Sequence, residues 1–304
     1  MTQTRVINLS VFFFTFIFIN ISCSQGCSDA GVCSATQYTN HTNSQESIHS
    51  FTYTQSVGLG DKNVLIVGGV FSYRIQALKN ISLGISLPYS LTSGNLGTTY
   101  GIGDIIINAN SRLYHSQKND IYLFIAGKIA SNNANKHLEN QPLPMAYQQS
   151  SGTNDFIVAI NWSHGDWFFA SGYQTALNAN GNEFLASNFP KGSLAESYHS
   201  SAYLKRGDDI MIRAQKIFNL KSGSRIKAGI LPIFRIQEDE IKVNNVYEKV
   251  EKSSGLTLNL YLGWMHKITE KISGELQLAA PPITREVRVD GTTRTFVVNY
   301  IFKF

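Results

Sequence analysis

The amino-acid sequence predicts an all-β fold, namely a transmembrane antiparallel β-barrel of about 12 strands behind an N-terminal signal peptide. Three observations predict it: an aromatic-rich final strand, a series of short segments with alternating polarity, and an apolar export signal at the start. The composition agrees, because charged residues make up 15% of the 304 residues and aromatic residues make up 12%. Such a composition favours a β-rich chain with many short turns over a helical enzyme.

The last stretch of the chain, residues 292–304, alternates with a period of two, which indicates a β-strand. Its even-numbered side chains are apolar and rich in aromatic rings, whereas the odd-numbered ones are mixed. The closing strand of an outer-membrane barrel has this pattern, because it faces lipid and anchors at the interface with aromatic rings. Tyr300, Phe302 and Phe304 also resemble the C-terminal signal that the barrel-assembly machinery reads. An amphipathic strand of a soluble sandwich is the alternative for this stretch alone.

The first residues have the layout of a cleaved secretory signal. An apolar run over residues 11–19 is too short to span a bilayer comfortably, and small residues follow it. Ser22 and Ser24 occupy the positions where a signal peptidase requires small side chains. We therefore expect cleavage before Gln25 and a signal peptide over residues 1–24.

The cysteines are consistent with this cleavage. Removing Cys23 with the signal leaves Cys27 and Cys33, and an oxidising compartment favours a disulfide between them. The polar residues 25–47 show no period, so we expect a periplasmic N-terminal arm tied by this disulfide. A lipoprotein signal acylated at Cys23 is the alternative. The spacing of the neighbouring histidines matches no zinc pattern, and we expect neither a metal nor another cofactor.

Residues 48–304 are expected to form the barrel, because they divide into twelve strand-like segments. The segments run roughly over 48–59, 63–76, 80–92, 102–115, 119–131, 153–162, 166–177, 199–219, 224–237, 255–267, 271–281 and 292–304. In segment 80–92, for example, aliphatic side chains alternate with serine, glycine and proline. Small or polar side chains on one face and aliphatic ones on the other are typical of a transmembrane barrel wall.

The connections between these segments alternate in length from the second segment onward. Short ones are expected at 77–79, 116–118, 163–165, 221–223 and 268–270, and long ones at 93–101, 132–152, 178–198, 238–254 and 282–291. Outer-membrane barrels have short periplasmic turns and longer external loops. Both termini are therefore expected in the periplasm, with the first hairpin as a short external turn.

Two stretches allow a second interpretation. The Lys-Arg-Gly-Asp sequence at 205–208 would form a turn that splits the eighth segment. A thirteenth strand would break the alternation of connections, so we expect one long strand over 199–219. The Gly-Ile-Gly-Asp sequence at 101–104 is expected to begin the fourth strand rather than to bind phosphate, because no helical pattern follows it.

Several short motifs between residues 80 and 220 add a family resemblance. They are Leu-Pro at 87–88, a Gly/Ser/Thr-rich loop, Gly-Ile-Gly-Asp-Ile-Ile at 101–106, Arg-Leu at 112–113, Ser-Gly-Thr-Asn-Asp-Phe at 151–156 and Tyr-Gln-Thr-Ala-Leu-Asn at 173–178. Together they resemble the outer-membrane family associated with phenol-degradation meta-pathway operons. The resemblance implies a transport barrel for small organic molecules. The cysteine-containing arm departs from that family, so the resemblance does not extend to a particular substrate.

Alternation also predicts which polar side chains line the lumen. The candidates are Asn108, Asn110, Arg112, Lys128, Arg213, Gln215, Glu275 and Gln277. Ionisable groups at membrane depth are costly unless they face water or each other. One interpretation is a structural network in which Arg112 or Lys128 pairs with Glu275. The other is a polar track that guides a solute.

The expected function is passive transport of small solutes, including hydrophobic or aromatic ones, across the outer membrane of a Gram-negative-type cell envelope. A twelve-stranded barrel lies between the filled interior of an eight-stranded barrel and the open channel of the largest ones, so we expect a narrow pore. The alternative is a closed structural or binding barrel whose external loops, at 132–152 and 178–198, engage a partner.

Other function classes are less compatible with the sequence. None of the seven histidines sits in a recognised catalytic motif, so no enzyme is expected. The net charge of +5 is spread along the chain rather than concentrated in a patch, which argues against a nucleic-acid partner. The expected partners are outer-membrane lipid, the barrel-assembly machinery and a small-molecule solute.

Overall fold

The computed structural model describes residues 48–220, 223–290 and 296–303. This part of the chain consists of β-strands, turns and four single-turn 3-10 helices, at Asp61–Asn63, Met145–Tyr147, Ala186–Asn188 and Ala195–Ser197. None of these helices is long and apolar enough to cross a membrane. The all-β class predicted from the sequence is confirmed.

The described strands are numbered in chain order. They are β1 His49–Leu59, β2 Leu65–Leu78, β3 Ile81–Gly94, β4 Gly97–Ile102, β5 Ile105–His115, β6 Asn119–Ile129, β7 His137–Leu138, β8 Gln141–Pro142, β9 Asp155–His164, β10 Trp167–Ala176, β11 Asp209–Asn219, β12 Ser224–Arg235, β13 Glu240–Val243, β14 Val246–Lys249, β15 Gly255–Lys267, β16 Ile272–Ile283 and β17 Phe296–Lys303. The pairs β7–β8 and β13–β14 form small hairpins in the loops, and the other thirteen strands form one sheet.

This sheet closes on itself into a barrel. Each strand runs antiparallel to its neighbours, and β1 pairs with β17 on one side and with β2 on the other. Strands β4 and β5 pair with different parts of the same strand, β3, and follow one another along it. The two together therefore occupy one position, and the thirteen strands form a wall of twelve positions. Closure removes the unpaired strand edges that lipid does not tolerate. The predicted antiparallel barrel of about 12 strands is therefore confirmed.

The two ends of the barrel differ in the length of their connections. At one end, tight turns join β2 to β3, β5 to β6, β9 to β10, β11 to β12 and β15 to β16. At the other end, long loops follow β6, β10, β12 and β16, and the turns after β1 and β3 are short. The first and last strands meet at the short-turn end, where Ser50 lies opposite Lys303. This is the arrangement that the alternating connections predict.

The wall carries large apolar side chains outside, and part of its inner face is polar, unlike the core of a soluble barrel. In β3, Leu83, Ile85 and Leu87 are each at least 38% exposed, whereas Ser82 and Ser86 are buried. Directly opposite residues of neighbouring strands share a face, so the same division continues into β2 and β5. Large apolar side chains on the outer surface of a closed barrel match the hydrocarbon of a membrane.

The predicted long loop at 93–101 is wrong. Strand β3 continues to Gly94 and β4 begins at Gly97, so only two residues turn the chain. Gly97 has a φ of 121°, a conformation that residues with a Cβ rarely adopt. The predicted strand start at 101–104 is also wrong, because Ile102 ends β4 and Asp104 lies in the break before β5.

The predicted long eighth strand is wrong in its first half, because β11 begins at Asp209 and residues 199–208 are a loop. Tyr203 has a left-handed φ of 48°, and the backbone N–H of Leu204 donates to Asn180 Oδ1. Leu204 itself is fully buried in the loops. Tertiary contacts with neighbouring loops therefore replace the ladder hydrogen bonds that a strand would need, and the alternative turn between two strands is not formed either.

Several predictions concern residues outside the described part of the chain. The signal peptide over 1–24, the arm over 25–47 and the disulfide between Cys27 and Cys33 all lie there, as does Phe304. The backbone of β17 is described, and its register places Tyr300 opposite Tyr53 and Phe302 opposite Phe51.

Candidate functional site

The inward face of the barrel has three zones that follow one another from the long-loop end to the short-turn end. The first, the charged ladder, consists of Asp104, Lys128, Asp155, Arg206, Asp209, Arg235, Asp239, Arg285 and Asp290. The second, the apolar strip, consists of Phe124, Ala126, Ile157, Ala159, Phe168, Ala170, Met211, Leu231 and Ile233. The third, the lower cluster, consists of Arg213, Gln215, Lys227, Tyr261 and Glu275.

The charged ladder begins where β5, β6 and β9 meet the long loops. Lys128 Nζ lies 2.8 Å from Asp155 Oδ2 and 3.6 Å from Asp104 Oδ2, and all three side chains are buried. Asp104 also accepts hydrogen bonds from the backbone N–H and the hydroxyl of Ser151, at 2.9 and 2.6 Å. Asp104 thus joins the loop between β6 and β9 to the wall.

The ladder continues through two arginines. Arg206 Nη1 lies 3.4 Å from Asp155 Oδ2, and Arg206 Nη2 lies 3.2 Å from Asp209 Oδ2. Arg235 binds Asp209 with two donors, Nε at 2.7 Å and Nη2 at 3.0 Å. A planar guanidinium that meets a carboxylate in this bidentate way fixes the orientation of both groups.

The last part of the ladder reaches the loop after β16. Arg235 Nη1 lies 2.5 Å from Asp239, and Arg285 Nη2 donates to both oxygens of Asp290, at 3.0 and 2.9 Å. Burial by itself raises the pKa of Asp290, but the positive charges of Arg285, Arg235 and Arg206 outweigh it and lower the pKa below its ordinary value of 3.8. Asp290 is therefore charged at neutral pH.

The ladder is nearly neutral as a whole, with four cations and five carboxylates among the described residues. It connects the wall to all four long loops. Those loops pack on one another over the mouth, where Tyr147 and Phe184 are fully buried against Val64. Broken buried ion pairs are costly, so the ladder holds the loops in one arrangement.

The apolar strip lies beneath the ladder on the side formed by β6, β9, β10, β11 and β12. Phe124, Ile157 and Met211 are fully buried, and Phe168 is 2% exposed. The facing part of the wall is lined by small polar side chains, among them Ser72 and Ser86, whose hydroxyls share a hydrogen bond of 2.8 Å. The lumen therefore has one apolar side and one polar side.

The lower cluster is centred on an ion pair. Lys227 Nζ lies 2.9 Å from Glu275 Oε1, and the Tyr261 hydroxyl donates to the same oxygen at 3.0 Å. The Arg213 guanidinium lies 4.7 Å from the centre of the Tyr261 ring and donates to Gln215 Oε1 at 2.8 Å. The cluster thus spans β11, β12, β15 and β16, and it crosses from the apolar side of the lumen to the polar side.

The eight residues predicted to line the lumen differ in exposure. Buried ones are Asn108, Asn110, Lys128, Gln215 and Glu275, and partly exposed ones are Arg112, Arg213 and Gln277. Three of them, Arg213, Gln215 and Glu275, belong to the lower cluster, where Tyr261 contacts both Arg213 and Glu275. Contact of any of them with a moving solute stays a prediction.

The predicted partners of Glu275 are wrong. Glu275 pairs with Lys227, whereas Lys128 pairs with Asp155 at the opposite end of the wall. Arg112 donates to the carbonyl oxygen of Lys79 at the short turn after β2. Alternation along a strand determines the side on which a residue lies but not its height, which depends on the register of all twelve wall positions.

The lumen candidates predicted from the sequence lack most of the charged ladder. They also lack Lys227, the partner of Glu275 in the lower cluster. Lys227 stands at an inward position between Ile226 and Ala228, so the period of β12 alone would have marked it. Asp155, Asp209 and their partners lie at strand ends beside long loops. Charged residues are common at such positions, so the sequence pattern does not distinguish these. Among the described residues, no group of histidine, cysteine and acidic side chains is arranged to hold a metal ion.

Comparison with known proteins adds a likeness of fold. No protein-family model and no curated protein matches the sequence. Among solved structures, an outer membrane channel from Pseudomonas putida F1 is similar over 88% of this chain and 98% of its own, at 12% identity and a TM-score of 0.62.

Two further solved structures are less similar. The translocator domain of the autotransporter NalP from Neisseria meningitidis is 10% identical over 90% of this chain and 94% of its own, with a TM-score of 0.49. The NanC porin is 5% identical over 84% of this chain and 98% of its own, with a TM-score of 0.47. The likeness to the Pseudomonas putida F1 protein is one of fold, and this outer-membrane barrel fold is the one that the resemblance seen in the sequence implies.

Proposed function

We propose that this protein is an outer-membrane channel through which small solutes pass down their gradient. The observation that carries this proposal is that several inward-facing side chains in the wall are only partly buried, among them Thr52, Arg213, Tyr261 and Gln277. A barrel interior filled completely by side chains would bury them. Their exposure supports a lumen with space beside the apolar strip.

The outer surface supports a location in the outer membrane. Leucine, isoleucine and phenylalanine side chains cover it, and Trp162, Trp167 and Trp264 are more than 40% exposed near the short-turn end. Aromatic rings at this height match the membrane–water interface. With short turns in the periplasm and long loops outside, both ends of the barrel sequence lie on the periplasmic side.

The apolar strip supports solutes with an apolar body. The part of the strip that is exposed, at most 8% of any side chain, is apolar and favours a hydrophobic or aromatic group over water. The polar side of the lumen supplies hydrogen bonds to the remaining groups of such a solute. The likeness to an outer membrane channel from Pseudomonas putida F1 is one of fold and is compatible with this role.

The second candidate is a closed binding barrel, and one observation favours it. The long loops fold over the mouth and share a buried cluster that includes Tyr147, Phe184 and Tyr198. Loops held in this way present a fixed external surface to a partner. The two functions differ in one measurable property, because only the channel conducts.

Conductance in planar bilayers is the decisive experiment. The purified barrel is expected to give small, reproducible conductance steps, and liposomes that contain it are expected to swell in small solutes. Heat-modifiable gel migration shows in parallel that the barrel is folded. Folded protein that neither conducts nor permeabilises liposomes would replace the channel with the binding barrel.

The proposed role is not enzymatic. A Ser–His contact does occur in the described part of the chain, where Ser224 Oγ and His266 Nδ1 are 2.9 Å apart at the short-turn end. Among the described residues, no carboxylate contacts the other ring nitrogen of His266, so the arrangement lacks the orienting group of a catalytic triad. Hydrolysis of a short-chain ester by the purified barrel would contradict this view.

Export and assembly complete the proposal. The signal peptide over residues 1–24 is removed, Cys27 and Cys33 form a disulfide in the periplasmic arm, and the aromatic end of the chain is read by the barrel-assembly machinery. Mass spectrometry of the mature protein tests the first two statements, and an acylated Cys23 would overturn the first. Deletion of Phe304 tests whether the barrel-assembly machinery reads the aromatic end. The deletion is expected to leave less folded barrel in the outer membrane.

A further inference from the structure

We propose that Lys216 and Trp167 form a binding site for the phosphate group of an anionic phospholipid, on the outer surface of the barrel near its short-turn end. The site consists of outward-facing side chains. It therefore goes beyond the proposed channel function and does not depend on whether the barrel conducts.

Lys216 is a cation on the lipid-facing side of the wall. Its neighbour Gln215 is buried on the inward face, whereas Ile212 and Phe218, which share the side of β11 with Lys216, are each 46% exposed. Trp167 of β10 lies directly opposite Lys216 and is 43% exposed. A lysine on such a surface keeps its apolar stem against the wall and extends its ammonium group to the polar edge of the membrane.

Two aromatic rings show the direction in which the ammonium group extends. Lys216 Nζ lies 5.1 Å from the centre of the Trp167 ring and 5.6 Å from the centre of the Phe218 ring. Phe218 is nearer than Lys216 to the end of β11 at Asn219. The ammonium group therefore extends toward the short-turn end, and Lys216 itself lies within about 10 Å of the strand end along the chain. This is the height of the lipid headgroups.

The Trp167 ring is held in place by further rings. It stacks on Phe169 at 5.9 Å between ring centres, and Phe169 stacks on Trp162 at 5.3 Å. The indole N–H of Trp162 is satisfied within the protein, because it donates to Asn119 Oδ1 at 3.2 Å. The row of rings thus fixes the surface against which the Lys216 ammonium group rests, and the cation–π contacts keep this group in position.

Two neighbouring donors of this surface have no acceptor among the described residues. They are the Lys216 ammonium group, which takes part in no ion pair there, and the indole N–H of Trp167. Asp166 precedes Trp167, but its carboxylate accepts from Asn219 Nδ2 at 2.9 Å. A positive ammonium group beside an N–H donor matches the oxygens of a phosphate, since charge-assisted hydrogen bonds to phosphate are strong.

The surroundings indicate a lipid as the source of this phosphate. The donors lie on the outer surface of the barrel, beside the exposed apolar side chains of Ile212 and Phe218. A phospholipid bound here places its acyl chains against that apolar surface and its phosphate against Lys216 and Trp167. A soluble phosphate has only the second set of contacts.

Native mass spectrometry of the purified barrel in detergent tests the proposal, with dioleoyl phosphatidylglycerol and an uncharged glucosyl dioleoylglycerol as probes. The wild-type protein is expected to bind the phosphatidylglycerol about threefold more tightly, the size expected for one partly exposed ion pair. Lys216→Gln is expected to abolish this preference, and Lys216→Arg is expected to retain it. Trp167→Phe keeps a ring beneath the ammonium group but removes the N–H, so a partial loss is expected.

Lys267→Gln is the matched control, because Lys267 lies at the same end of the barrel but pairs with Glu270 at 2.6 Å. Its preference for phosphatidylglycerol is expected to equal that of the wild type. Equal binding of the two lipids by the wild-type protein would overturn the proposal even if no variant folds. Equal losses in Lys216→Gln and Lys267→Gln would overturn it as well. Displacement of bound phosphatidylglycerol by glycerol phosphate would assign the site to a soluble phosphate and overturn the lipid.

Discussion

The charged ladder and the lower cluster both place ionic side chains on the inward face of one barrel, but they differ in what they join. In the ladder, each cation contacts one or more carboxylates, and the loops over the mouth are joined to the wall. In the lower cluster, the Lys227–Glu275 pair, Tyr261, Gln215 and Arg213 join strands of the wall to one another. The ladder therefore fixes the loops, whereas the lower cluster fixes strands of the wall.

The comparison predicts the largest loss of stability in the ladder. Asp155→Ala leaves Lys128 and Arg206 buried without their shared partner, and a broken buried pair costs about 4 kcal/mol. Urea unfolding in lipid vesicles measures the change. Glu270→Ala is the control, because the Lys267–Glu270 pair is exposed and contributes little. Equal stability of the two variants would show that the ladder does not stabilise the barrel.

A smaller loss is expected in the lower cluster. Lys227→Met leaves Glu275 without its cation, at a cost of about 3 kcal/mol, because a buried charge then lacks its partner. Combining Lys227→Met with Glu275→Gln removes both charges and keeps an acceptor for the Tyr261 hydroxyl, so most of the loss is expected to be recovered. Unfolding of the single and double variants measures this recovery. A double variant as unstable as Lys227→Met would contradict the ion pair.

The packing of the lower cluster gives a third prediction. A Cβ on Gly263 would lie 2.6 Å from the Tyr261 hydroxyl and 3.2 Å from Glu275 Oε1. Gly263→Ala therefore displaces both groups and is expected to cost about 2 kcal/mol and to change the single-channel conductance. Gly127→Ala is the control, because no heavy atom lies within 4 Å of its Cβ position. Unchanged conductance in Gly263→Ala would place Tyr261 away from the solute path.

The smallest effect concerns pH at the external mouth. Burial raises the pKa of Asp61 above its ordinary value of 3.8, although Arg288 lies 2.6 Å away, whereas the pKa of Asp290 is lowered. A folded-state pKa above the unfolded value means that stability from Asp61 falls as pH rises through it. A lowered pKa means that stability from Asp290 is lost only as pH falls below the ordinary carboxyl range.

Asp61→Asn is therefore expected to remove the fall in stability with rising pH that comes from Asp61. The loss of stability at low pH that comes from Asp290 is expected to remain. Unfolding measured across the acidic range in wild type and variant tests this expectation. Retention of the full pH dependence in Asp61→Asn would assign it to another carboxylate.

The sequence by itself determined the wall of this barrel. In β3, leucine and isoleucine at odd positions and serine at even positions were sufficient to predict which side faces lipid, because a strand has a period of two. The same reasoning predicted the number of wall positions and the alternation of short and long connections, because a closed barrel in lipid has few permitted arrangements.

Only the tertiary structure decided which side chains meet. Period two places Lys128 and Glu275 on the inward face but not at the same height, and the register of the closed sheet separates them. The loop at residues 199–208 resembles a strand in sequence, yet buried contacts of Leu204 with Asn180 and of Arg206 with Asp155 outweigh that local preference. Contacts between residues distant in sequence, which no local pattern contains, therefore formed both the charged ladder and the lower cluster.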